Sequence, residues 1–137
     1  MAAPLNVEVV AADRMVWEGE AEMVIVRTTE GDIGIQSGHE PLLAGLVPCA
    51  AEIVASDGRR EMVAIDGGFL SVAANRVSLV SQYATMSQEV SVDAAQAEFD
   101  TLSKLHQDGD ATQDEVHRMH LAAAQLKAAR KGNSHAF

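Results

Sequence analysis

The chain has 137 residues and a net charge of −10, with 47% hydrophobic residues but only 4% aromatic ones, so its core must come from Val, Ile, Leu, Met and Ala. That length makes one domain or two small ones, and the acidic balance argues against a nucleic-acid partner, since backbone binding depends on Lys and Arg displacing counterions. The lone Cys49, beside Pro48, excludes an internal disulfide and reads as a small buried apolar side chain, and no apolar stretch reaches the ~18 residues of a membrane span.

The first part of the chain reads as strands. Leu5, Val7 and Val9 alternate with Asn6 and Glu8, the period-2 pattern of a half-buried strand. Met62 to Ile65 and Phe69 to Val72 are further apolar runs, and Val77, Leu79 and Ser81 alternate with Ser78 and Val80. Glu30-Gly31-Asp32, Ser56-Asp57-Gly58, Gly67-Gly68 and Ala74-Asn75-Arg76 punctuate these runs. Asp57-Gly58 supplies the positive φ that a tight hairpin needs. Gly67-Gly68 leads into a strand and not a helix, so it reads as a strand-joining turn or close-packing site and not as a phosphate loop. Short strands between turn signals predict an all-β sandwich or barrel.

Near Gln88 the composition shifts to Ala, Gln, Glu and Leu, which predicts a boundary between an N-terminal domain, 1–88, and a C-terminal one, 89–137. Ser91 is placed to cap a helix, with Asp93 in its first turn. Val92, Ala95, Phe99, Leu102 and Leu105 follow on one stripe, and Asp108-Gly109-Asp110 ends that helix. Thr112 and Glu115 form a capping-box pattern. Val116, Met119, Ala123 and Leu126 then make a narrow seam, giving an antiparallel helical hairpin whose last residues, Gly132 to Phe137, are expected to fray. A hairpin of roughly 40 residues rarely holds a sufficient core of its own. It has to dock, and an element with two burial partners of similar worth is what a switch requires.

Few residues invite catalysis. His39 could act as a general base oriented by Asp32 or Asp66, as in a small stand-alone enzyme, but no serine or cysteine nucleophile motif accompanies it. His117 and His120, spaced i, i+3 with His106 nearby, have metal-compatible spacing without an HExxH pattern; solvent-facing histidines are the simpler reading. From Val116 onward the only charged side chains besides histidine are Arg118, Lys127, Arg130 and Lys131. This basic stripe is either a solvated face complementing the helix dipole or a surface for an acidic partner, its own or another protein's.

Two motifs, GIQSGHEPLL (Gly34 to Leu43) and DGGFLSVAANRVSLV (Asp66 to Val80), stand in register with LNVEVVAADRMVWEGEAEMV (Leu5 to Val24) and SVDAAQA (Ser91 to Ala97). Together they resemble the epsilon subunit of bacterial F-type ATP synthase over nearly the whole chain. The resemblance implies a non-catalytic central-stalk subunit with neither metal nor cofactor: a β-sandwich bound to the gamma subunit and seated on the c-ring, and a helical hairpin that either folds onto the sandwich or extends into the catalytic head and inhibits ATP hydrolysis. It carries Asp32 and His39, in the segment Glu30 to His39, over as ring contacts, and Arg118, Lys127, Arg130 and Lys131 as the basic helix facing an acidic surface of beta. Family members that bind ATP have Ile or Leu, Asp, two variable residues, Arg and Ala where this chain has Val92-Asp93-Ala94-Ala95-Gln96-Ala97. With Gln96 in place of Arg, ATP binding is expected to be weak or absent, although a nucleotide-sensing role is compatible with the same fold. With the strand pattern starting at Leu5, no transit peptide is expected, and the implied location is the cytoplasmic face of the bacterial plasma membrane, held there through the complex.

Overall fold

Among the described residues, alternating apolar positions give seven strands, and the Ala- and Leu-rich remainder gives two helices. A computed structural model describes residues 3–134. The order is β1 (Leu5–Val10), β2 (Met15–Thr28), β3 (Gly31–Gln36), β4 (Leu42–Ala55), β5 (Arg60–Ala73), β6 (Arg76–Val80), β7 (Ala84–Met86), a 3-10 turn (Ser87–Glu89), α1 (Val92–Gln107) and α2 (Gln113–Ser134). The change of character expected near Gln88 coincides with the 3-10 turn.

The strands pair in the order β1-β6-β5-β4-β2-β3, and β2 also pairs with β1, so the sheet closes on itself as a flattened barrel. Closure removes the exposed edges that would otherwise invite pairing with other chains. β3 is left as an edge outside β2, and β7 adds to β5. The 14-residue strands β2, β4 and β5 each contribute to both layers. One layer holds β1, β6 and the adjoining halves of the long strands; the other holds β3, β7 and the remaining halves.

Crossing between layers requires a strand to turn its inner face over. In β5, Val63 and Ile65 point into the core, and after Gly67 and Gly68 it is Leu70 and Val72 that do. Side chains alternate strictly along a strand, so this change of parity needs a local distortion. Gly67 (φ +80) and Gly68 (φ +109) supply it. A Cβ on Gly68 would sit 2.0 Å from the Val80 carbonyl oxygen. Of the two readings its composition allows, the glycine pair is the close-packing site and not a turn that joins two strands; β5 runs unbroken through it, still paired with β4 at Leu46↔Gly68 and Pro48↔Asp66. Ser56-Asp57-Gly58 and Ala74-Asn75 do form turns, whereas Gly31 and Asp32 already belong to β3.

The helix signals also hold. Ser91 Oγ accepts from Ala94 N–H at 3.4 Å. Thr112 and Glu115 close a reciprocal capping box, with bonds of 3.0 and 3.1 Å. Gly109 (φ +77) ends α1, with Asp110 N–H reaching the Leu105 carbonyl. Two expectations fail. Val92 is exposed, because it stands at the first residue of α1. The predicted narrow seam of α2 is only part of its buried surface, since Ala122, Ala124, Ala128 and Ala129 are buried too. The reason is layering: α2 packs on β4 and β5 and also carries α1. α2 continues as helix past Gly132 to Ser134, beyond where fraying is expected, and residues 135–137 lie outside the described part of the chain.

Gly68→Ala should lower the unfolding free energy by ~3 kcal/mol or more, through φ strain plus displacement of β6. Gly58→Ala, at φ +90 but in open space, should cost only ~1–2 kcal/mol. Urea titration of the two variants checks the difference.

Candidate functional site

The hairpin sits on the outer face of the β4–β5 ladder. At the closest approach Ala128, fully buried, packs against Met62, Ala64 and Ala50. Alanine leaves the helix backbone free to come near the sheet, at the expense of a small apolar contact. Two polar contacts flank this seat. Gln125 Nε2 donates to the Tyr83 hydroxyl at 2.7 Å, and His117 Nε2 meets Asp66 Oδ1. Sequence reasoning missed Ala128, Gln125 and Tyr83, and the only signal for them was the alanine density from Ala122 to Ala129.

The basic stripe of α2 is divided by this docking. Arg118 turns to α1, its Nη2 2.9 Å from Glu98 Oε1. Lys127 and Lys131 line a cleft of about 570 Å3 between α2 and β2–β4, together with Arg27, Asp32, Cys49 and His120. There Arg27 Nε lies 2.8 Å from Asp32 Oδ1. That hydrogen bond is the main force holding the Asp32 carboxyl below the usual carboxylate range, and Lys127 and Lys131 act in the same direction. Burial pushes the Cys49 thiol up, which keeps it protonated and unreactive at neutral pH. Arg130 is exposed.

The remaining candidates are dispersed. Asp32 opens β3 and His39 follows its end, so the strand's length separates the two expected ring contacts. His39 Nδ1 lies 2.7 Å from the Glu40 carbonyl oxygen. Asp66 is engaged by His117, so the His39 and Asp66 pairing required by the enzyme reading does not form. His117 is exposed, as the simpler reading has it, but the sheet also brings a carboxylate to it. Among the described residues, no group of three His, Cys, Asp or Glu side chains is arranged to hold a metal. Asp93, Gln96 and Ala97 lie exposed on α1, and Gln96 Nε2 is turned along its own helix to Asp100 Oδ1 at 2.9 Å.

The opposite layer has its own surface feature. Register places Gly45, Phe69, Val80, Val10 and Met15 side by side across five strands. Phe69, Val80 and Met15 are exposed, Phe69 by 61%, and the neighbouring Leu43 by 74%. Exposed apolar side chains aligned in this way mark a contact surface.

The β-sandwich domain model of the ATP synthase delta/epsilon chain matches residues 4–87. The chain is 53% identical over 135 residues to the ATP synthase epsilon chain of Cutibacterium acnes, covering 93% of this chain and 92% of that protein. It is 43% identical over 129 residues to that of Streptomyces coelicolor, covering 94% and 98%. The chain belongs to the ATP synthase epsilon family. A chain of the Euglena gracilis mitochondrial ATP synthase structure, with OSCP, F1 and c-ring, shares the fold at 20% identity (TM-score 0.71, 98% of this chain and 82% of that one). The resemblance carried by the Gly34 and Asp66 motifs is thus established for the family, and the folded-down hairpin is one of the two arrangements it implies. Among the described residues, no helix of this epsilon-family chain is long and apolar enough to cross a membrane.

Ala128→Glu should expel α2 from the sheet at any salt concentration, because it buries a charge against Met62. Asp32→Asn should loosen docking only at low ionic strength, since Asp32 is exposed and its attraction to Lys127 and Lys131 is screened. Asp32 has a depressed pKa, so its contribution is complete above the unfolded value of ~3.9 and disappears as pH falls through the folded one. Between pH 5 and 8 Asp32 stays ionised, so docking should show no pH dependence arising from it. Hydrogen exchange of the α2 amides reads all three effects.

Proposed function

We propose that this chain is a non-catalytic rotor subunit of a bacterial F-type ATP synthase, seated at the cytoplasmic face of the plasma membrane through the complex. Its sandwich joins gamma to the c-ring, and its hairpin restrains ATP hydrolysis. The observation that carries this reading is the division of the sandwich into two unlike outer faces. One holds the hairpin through alanines and a few polar contacts; the other presents an apolar row of the kind a permanent partner covers.

In this reading gamma covers the row of Phe69, Val80 and Met15. The ring contact falls to β3, an edge strand that holds Asp32 near its start and is followed by His39. Both side chains reach the ring when β3 lies along it. A rotor part transmits torque by rigid packing and needs no active site. The hairpin supplies control. On leaving the sandwich, Lys127 and Lys131 give up Asp32 and become available, with Arg118 and Arg130, to an acidic surface of beta in the catalytic head. Replacing all four with Gln should raise ATP hydrolysis by the assembled enzyme without impairing assembly. Because each exposed pair contributes only ~0.2–1 kcal/mol, single variants should show little. Unchanged hydrolysis and unchanged salt dependence in the quadruple variant would count against this role.

ATP binding by the isolated chain is weak in the same account. Gln96 has no charge and no guanidinium fork, and its amide is committed to Asp100. Gln96→Arg should tighten ATP binding by ~1.5–3 kcal/mol, the contribution of a charge-assisted hydrogen bond. Calorimetric titration of both proteins decides it: micromolar binding by the parent chain, or no gain in the variant, contradicts the assignment.

A further inference from the structure

The layer that carries the apolar row also carries charge, and the two are laid out side by side. One step along the strands from Phe69, Val80, Val10 and Met15 lies a second row, Ser71, Ser78, Glu8 and Glu18. A third row places Arg76 next to Asn6 and Asn6 next to Glu20. Glu8 and Glu18 stand directly opposite each other in the β1–β2 ladder. Like charges at that spacing destabilise a sheet. Glu8 is nonetheless half-buried and held in place by the Ser78 hydroxyl, which donates to its Oε1 at 2.7 Å. Only Arg76 opposes the three carboxylates in these rows.

We propose that this face takes a segment of gamma that is amphipathic in a particular way: an apolar ridge over Phe69, Val80 and Met15, flanked by Lys or Arg side chains over Glu8, Glu18 and Glu20. The proposal rests on the gamma reading above and adds the chemistry of the partner. Charge selects among the occupants an apolar row could have. A second copy of this chain would bring another body of net charge −10, and an anionic bilayer would meet the acidic rows with the same sign. A cationic flank relieves the Glu8–Glu18 repulsion on binding and steers the encounter.

The full-length chain and gamma, mixed in stopped flow across a salt series, test this. For the triple variant Glu8→Gln, Glu18→Gln, Glu20→Gln, the association rate should fall at least tenfold at low salt, with the gap closing near 1 M NaCl, where the Debye length is ~3 Å. The free variant should melt no lower than the parent, because a repulsive pair has been removed while the Ser78 acceptor is kept. Phe69→Ser separates the two levels of the argument. If it abolishes gamma binding while the triple variant associates at the parent rate at every salt concentration, the gamma reading stands and the charged flank is wrong. If it leaves gamma binding intact, the face itself has been misassigned. Self-association of the free chain that Phe69→Ser removes would identify a second copy as the occupant and overturn the proposal.

Discussion

The contact between Ala128 and the floor of Met62, Ala64 and Ala50 is the interaction on which the behaviour of the C-terminal half depends. Fully burying a large aliphatic side chain contributes about 1.5–3 kcal/mol, and one methylene about 0.8. A seat built from alanines over a single methionine, with the Gln125–Tyr83 and His117–Asp66 contacts beside it, therefore holds α2 by an amount on the order of a few kcal/mol. Reversing a 99:1 equilibrium takes about 5.5 kcal/mol. A partner surface of ordinary quality can compete with a seat of that size, which a core of interlocked leucines would not allow.

The sandwich is built on the opposite principle. Its inner positions, among them Leu5, Ile35, Ile53, Ile65, Leu70 and Leu79, are fully buried, and the β1–β2 pairing closes the ring of strands. Gly67 and Gly68 let β5 serve both layers without breaking its ladder with β4. Continuous long strands make the two outer faces parts of one rigid body. A load taken by one layer is passed to the other through β2, β4 and β5 themselves, and the hairpin's seat lies outside the core and off that path.

Much of this was legible in the sequence, and the reasons for what was not are physical. Period-2 alternation at Leu5, Val7 and Val9, the Ser91 cap and the Thr112–Glu115 box depend on neighbours a few residues away, so local reading found them. Gly67-Gly68 leaves a strand-joining turn and a close-packing site equally open in the sequence, because composition reports the need for positive φ without saying whether the strand resumes; the structure selects the second. The buried face of α2 is wider than its spaced apolar residues indicate, because alanine marks a close approach only when the facing surface is known. The pairing of His117 with Asp66, the gathering of Lys127 and Lys131 near Asp32, and the alignment of Phe69 with Val80 and Met15 all join residues distant in sequence. Only strand register and helix docking reveal them.

In the proposed role the docked hairpin is the non-inhibiting state, and leaving its alanine seat is what restrains hydrolysis. Cysteines at Ala64 and Ala128, in a Cys49→Ser background, would tie α2 to β5 when oxidised. ATP hydrolysis by the assembled enzyme should then be high and independent of conditions that favour inhibition, and should regain the parent level of restraint on reduction. Equal inhibition in the oxidised and reduced enzymes would contradict the account.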